Sequence, residues 1–224
     1  MAALIQTHGL TLHFGGLRAV DGVDFTLTAG EIHALIGPNG AGKTTFVSLL
    51  SGRRLPQSGT VTLAGEDITR LPAHARVRKG IAYTFQITSI FPRLSVFDNV
   101  ALAVQSQGTG ELAARTRAAL ARVGLAGLEE QEAQTLSYGH QRLLEVAMGL
   151  ALRPRVLILD EPTQGLAASE IEGFKALVRS LVPETTVLLI EHNMEVVMDL
   201  ATRITVLTFG VRPRWRCRAP ASGA

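Results

Sequence analysis

The chain has 224 residues, 46% hydrophobic and 18% charged, a composition that allows a sizeable buried core and excludes an intrinsically disordered polymer. The formal charge of +3 comes from four arginines in the last fourteen residues; the remainder carries 18 basic and 19 acidic side chains, so the excess does not mark a nucleic-acid surface. The single cysteine, Cys217, excludes an internal disulfide and fits a reducing compartment.

In chain order, "MAALIQTHGL" has no basic region followed by an apolar core, so no secretion signal is expected. "LTLHF" and "VDFTLT" alternate apolar and polar residues as half-buried strands do. "EIHALIGPNG" is an apolar strand running into a Gly-rich turn, and "KTTFVSLLSG" reads as a helix stopped by Gly52. "TVTLAG" and "IAYTFQ" are further strands. From about Ser95 to Leu152 the pattern is helical: "SVFDNVALAVQSQ", opened by a capping box of Ser95 and Asp98, then "ELAARTRAALARV", then a helix capped by Ser137 in "LSYGHQR". "VLILDE" and "TTVLLIE" are uninterrupted apolar strands separated by the helix "ASEIEGFKALVRSLV". Such strands alternating with helices predict a parallel sheet covered on both faces. No repeat of fixed period is present, and no apolar run approaches the ~20 residues needed to span a bilayer.

"GPNGAGKT", Gly37 to Thr44, matches GxxxxGK[ST] between a predicted strand and a predicted helix. In the run Gly37, Pro38, Asn39, Gly40, Ala41 and Gly42 the glycines let the backbone wind so that its N–H groups point at phosphate oxygens. Lys43 offers a cation to the β and γ phosphates, and the Thr44 hydroxyl suits Mg²⁺; Thr45 follows on the helix. "VLILDEP" ends in two carboxylates at the carboxyl edge of the sheet, where Asp160 suits metal ligation and Glu161 suits polarising an attacking water. Gln86, closing "IAYTFQ", is placed to touch metal and water, and His192 to donate to the γ phosphate. The start of the helix after Ser137 is an anion site by its free N–H groups, with Gly139 leaving the backbone open to a ligand.

The phosphate loop, Gln86, "LSYGHQR", "VLILDE" and His192, in this order along the chain, resemble the ATP-binding subunits of ABC transporters, from about Leu4 to Gly210. The resemblance implies an α/β P-loop NTPase: a RecA-like core with an antiparallel β subdomain and a helical subdomain inserted at about residues 88–152. It implies an ATPase with ATP and Mg²⁺ as cofactors, the metal held by Thr44, Gln86 and Asp160, and catalysis by Glu161, His192 and Gln86. Two such cassettes pair head to tail, Ser137 and Gly139 acting on ATP held by the other copy's Lys43. Phe14 matches the aromatic that stacks on adenine, or else is a core aromatic.

"FGGLRAVDGVDFTL", "FQITSIFPRLSVFDNV" and "LSYGHQRLLEVAMGLALRP" are similar to LivG-type subunits of branched-chain amino acid importers and their relatives for amides and urea. The implied partners are a second ATPase subunit, identical or LivF-like, membrane permeases and, indirectly, a periplasmic solute-binding protein; no nucleic acid is implied. The implied place is the cytoplasmic face of the plasma membrane, peripherally. The segment from Ile87 to Val100, with Phe91, Leu94 and Phe97, resembles the permease-docking surface, or else is helical-subdomain core. Three departures stand out: Ala167 and Ala168 where the family has Asp, Asn or Ser followed by Pro, Thr202 where Asp is commoner, and the basic tail 211–224. That tail, Arg alternating with Pro, is expected to stay unfolded, either as an aberrant ending or as a basic arm for anionic lipid. The alternative reading is a binding-only or non-functional cassette.

Overall fold

The computed structural model describes residues 2–84, 89–108 and 110–208, and at 211–216 the backbone alone. Gln86 and Ile87 therefore lie outside the described residues, as do Gly210 and the end of the tail beyond 216. Two sheets organise the chain. The first is antiparallel, order β2-β1-β4-β5, from β1 (Ala3–Phe14), β2 (Leu17–Thr28), β4 (Ser58–Leu63) and the short β5 (Glu66–Asp67). The second has the order β10-β9-β3-β8-β7-β6. Its parallel part comprises β3 (Ile32–Ile36), β6 (Ile81–Thr84), β7 (Val156–Asp160), β8 (Thr186–Ile190) and β9 (Arg203–Thr208).

The alternation of side chains along each central strand sorts them into two cores. Leu157 and Leu159 of β7, and Val187 and Leu189 of β8, face one cluster. That cluster is shared with α3 (Val96–Gln105), α4 (Leu112–Arg122), α5 (Tyr138–Ala151), α6 (Ala168–Leu181) and α7 (Met194–Leu200). Val156, Ile158, Leu188 and Ile190 face the other, which also takes in β1, β2, β4 and the helix α1 (Lys43–Leu50). Helix α1 thus lies between the two sheets with Phe46, Val47, Leu49 and Leu50 fully buried; Phe46 meets Phe25 of β2 edge-on, ring centroids 5.2 Å apart.

Local signals behave as their chemistry requires. Ser95 caps α3, its hydroxyl accepting from the Asp98 N–H at 2.9 Å, and Ser137 caps α5, accepting from the His140 N–H at 3.3 Å. Fully buried Asn99 braces the loop before α3: its Oδ1 accepts from the Phe91 N–H (2.7 Å), and its Nδ2 donates to the carbonyls of Phe91 (3.0 Å) and Ser95 (2.9 Å). Phe91 and Leu94 are left on the surface.

The tail departs from expectation. Val211–Arg216 forms β10, antiparallel to β9, although its composition predicts no fold. An open sheet edge offers backbone hydrogen bonds whatever the side chains are. Pro213, which has no N–H to give, falls within the register shift between Val211 and Arg214.

One buried cation holds the lower end of α1. Arg76, on α2 (Ala73–Arg78), is wholly buried and donates to the carbonyls of Leu49 (2.6 Å), Leu50 (2.9 Å), Thr69 (2.9 Å) and Leu71 (3.0 Å). Burial lowers its pKa to about 10, which still leaves it charged at neutral pH. Arg76→Ala should therefore destabilise the fold by about 3 kcal/mol or more, since several carbonyls lose their partner together. Arg76→Lys, with one ammonium in place of a fork, should recover only part of that in urea unfolding.

Candidate functional site

The carboxyl ends of β3, β7 and β8 point the same way, and the functional loops leave from them. After β3 the chain winds through residues 37–42 into α1, with Ala41 donating to the Pro38 carbonyl at 3.1 Å. Gly42, φ +93, is required twice over: its backbone is left-handed, and a Cβ there would lie 1.9 Å from the Ala19 carbonyl oxygen of β2. The ammonium of Lys43 donates to the carbonyls of Gly37 (2.7 Å) and Pro38 (3.1 Å). Burial lowers the Lys43 pKa, while the charges of Glu161 and Asp160 pull it back up.

Asp160, at the end of β7, is buried and accepts a 2.7 Å hydrogen bond from the Tyr83 hydroxyl. Burial raises its pKa; the Tyr83 bond lowers it, Glu161 raises it, and Lys43 and Arg142 lower it. The Tyr83 phenol is itself pushed up by burial and by Asp160, so it stays a donor. Glu161 takes a left-handed backbone (φ 48), and its Oε1 lies 2.7 Å from Nε2 of His192.

A single cleft is lined by Phe14, the phosphate loop from Asn39 to Thr45, Glu161 and His192. Phe14 is 40% exposed, which removes it from the core, and the Arg54 guanidinium sits 5.0 Å from its ring centre. None of residues 136–142 lines this cleft; Gly139, His140 and Arg142 line a separate concavity with Glu170 and Arg122. Gly139 also has a steric reason within its own chain. A Cβ there would lie 2.2 Å from Oε1 of Glu170, so the bare backbone makes room for a carboxylate of its own chain. The other carboxylate oxygen of Glu170 accepts from the Ala167 N–H at 2.8 Å, closing the start of α6 that Ala167 has no side chain to cap. Thr202 donates its hydroxyl to the Ile32 carbonyl at 3.0 Å.

Three polar residues at the site escaped the sequence reading. Tyr83 stood inside a strand pattern and gave no signal of its own. Glu191 is buried, accepting from the N–H groups of His192 (2.7 Å) and Asn193 (3.0 Å) with one oxygen, and from the Thr163 N–H (3.2 Å) and hydroxyl with the other. Arg142 is buried with its guanidinium on Glu145 (3.1 Å) and near the Glu161 carbonyl (3.5 Å). A carboxylate closing the wholly apolar strand "TTVLLIE" was the available clue for Glu191.

Fold and cleft together define a P-loop NTPase, a nucleotide-binding domain whose phosphate loop faces carboxylates at the edge of a parallel sheet. Residues 20–164 match the family model described as ABC transporter. The high-affinity branched-chain amino acid transport ATP-binding protein BraF of Pseudomonas aeruginosa is 39% identical, over 92% of this chain and 89% of its own. The corresponding LivG of Escherichia coli is 36% identical over the same shares. A crystal structure of the ADP conformation of an ATP-binding cassette of an ABC transporter superposes with a TM-score of 0.87, at 25% identity, covering 96% of this chain and 90% of that one. The chain belongs to the ABC transporter family, as one of its nucleotide-binding ATPase cassettes.

Tyr83→Phe isolates one cause of the Asp160 shift. With the Asp160 pKa above its unfolded value of about 3.9, the native state binds more protons there, so stability falls as pH rises through that window. Losing the tyrosine bond should raise the native pKa further and steepen that fall, seen in urea midpoints followed from acid pH to neutrality.

Proposed function

We propose that this cassette powers an importer for branched-chain amino acids or related amides and urea. It does so as one of two ATPase subunits, identical or LivF-like, at the cytoplasmic face of the membrane. The solute class rests on the likeness to BraF and LivG. Among the described residues no helix is long and apolar enough to cross a membrane, in keeping with separate permease subunits. Exposed Phe91 and Leu94, held out by Asn99, support a permease-docking role for the segment 87–100 as far as it is described. A periplasmic solute-binding protein would act through the permeases, without touching this chain.

The observation that carries the reading is the division of the ligand groups between two places. Lys43, Thr44, Glu161 and His192 share one cleft, while the capped start of α5 opens elsewhere. Ser137 and Gly139 then act on nucleotide held by a partner copy, and each site is complete only across a subunit seam. Within one copy, the backbone of residues 37–42 and Lys43 hold the phosphates, Thr45 extends the loop's contacts, and Phe14 stacks on adenine. Glu161 orients and deprotonates the attacking water, and His192, held by Glu161 and by the Glu191 cradle, donates to the γ phosphate. Gln86 is assigned with them from the sequence.

The donor set fits Mg²⁺ arriving with nucleotide. Thr44 and Asp160 supply hard oxygen ligands, and among the described residues no group of three His, Cys, Asp or Glu could cage a metal by itself. Thr44 and Asp160, with Gln86 assigned from the sequence, would hold the ion, since Mg²⁺ sites ordinarily need only one or two protein oxygens beside those of the nucleotide. When bound, it neutralises charge developing on the phosphates.

Glu161→Gln should keep ATP binding and lower turnover by roughly 10²- to 10⁴-fold; wild-type turnover would remove Glu161 as the base. Ser137→Arg in that background should abolish the ATP-induced dimer in light scattering while leaving monomer binding of ATP in place. Dimers that persisted would end the assignment of Ser137 to the partner's site.

A further inference from the structure

Away from the nucleotide cleft, cations gather at the amino edge of the parallel sheet. Arg78, Lys79, Arg153 and Arg155 line a concave cleft of about 540 Å³ with Gln107 and Leu152, and no carboxylate lines it. Lys79 reaches outward to Glu66 at 2.6 Å. Among the described residues no acid pairs with Arg78, Arg153 or Arg155. Outside the tail the chain has slightly more acidic than basic side chains, so this one-sign cleft is a local segregation of charge.

Helix capping does not account for it. Helix α5 ends here, and arginines at a helix end ordinarily serve its last carbonyls. At this end, however, Gln107 donates to the Leu152 carbonyl (2.6 Å), and Arg115 donates to the Ala151 carbonyl (3.1 Å) and to Gln107 (2.9 Å). Arg153 and Arg155 are left over. Arg153 sits just past the helix cap with φ 48, the left-handed position where glycine is favoured, and the chain keeps a charged side chain there. The stem of Arg155 lies against Gly80, where a Cβ would come within 2.9 Å of its Cγ, and its N–H donates to the Gly80 carbonyl at 2.9 Å.

We propose that this cleft binds a phosphate-bearing anion, either the headgroup of an acidic phospholipid or a soluble phosphate ester. The planar guanidinium fork matches phosphate oxygens, and the stem of Arg155 is already packed against Gly80. The lipid source rests on the membrane-associated role proposed above; the soluble source does not.

The test compares the full chain with Arg153→Ala/Arg155→Ala, both residues remote from the nucleotide cleft, using ATP turnover to show that the two proteins are folded alike. One arm sediments each protein with phosphatidylcholine vesicles and with equimolar phosphatidylcholine and phosphatidylglycerol. The other titrates glycerol phosphate in excess ADP, which keeps the phosphate loop occupied. The double variant should bind about thirty-fold more weakly in at least one arm, the loss of two arginine contacts with an anionic surface, while turnover is unchanged; the arm that responds names the source. Both proteins carry the basic tail, so the difference reports the cleft alone. Equal binding in both arms, or no binding by the wild type in either, overturns the proposal. Weak solute transport in a reconstituted importer would count against the importer role and not against the anion site.

Discussion

An isolated helix of eight residues does not hold its shape in water, because the cost of nucleation is spread over too few hydrogen bonds. Helix α1 holds because its sides are covered by two different sheets and its end is gripped by Arg76. That clamping fixes the direction in which the phosphate loop must leave β3. The loop has little freedom left: at Gly42 the carbonyl of Ala19 stands where any side chain would begin. A cradle of backbone N–H groups binds phosphate well only if it is rigid before the ligand arrives, since ordering it at that moment would consume binding energy. The buried core around α1 supplies that rigidity.

The same geometry decides the electrostatics. Parallel strands of similar length put Asp160, Glu161 and His192 on one edge, and the two carboxylates support the charge of a lysine that burial disfavours. Asp160 is held as a buried carboxylate by a phenol and by a cation, which oppose the desolvation that favours its neutral form. Glu191 does for the neighbouring loop what no backbone group there could do. By accepting four hydrogen bonds, it ties residue 163 to the turn that carries His192.

Much of this was legible in the sequence. The phosphate loop, the DE pair and the Ser137 cap depend on local spacing, and apolar periodicity located the strands and helices that carry them. Tyr83 and Glu170 were not legible, because their roles depend on which distant segment lies opposite: Asp160 is 77 residues from Tyr83, and Gly139 is brought to Glu170 only by the packing of α5 against α6. Gly139 is found by its place in the motif, while its contact with Glu170 depends on tertiary packing. The pairing of β10 was missed for a related reason. Composition reports whether a segment can build a core, whereas joining an existing edge asks only for a backbone in register.

The ring of Tyr138 rests on Gly165, where a Cβ would come within 2.9 Å of the ring. Gly165 also has φ +80, so its backbone already disfavours other residues. A side chain at 165 would therefore have to displace the Tyr138 ring as well as accept a left-handed backbone, so the turn after β7 and the start of α5 are sterically coupled through these two residues.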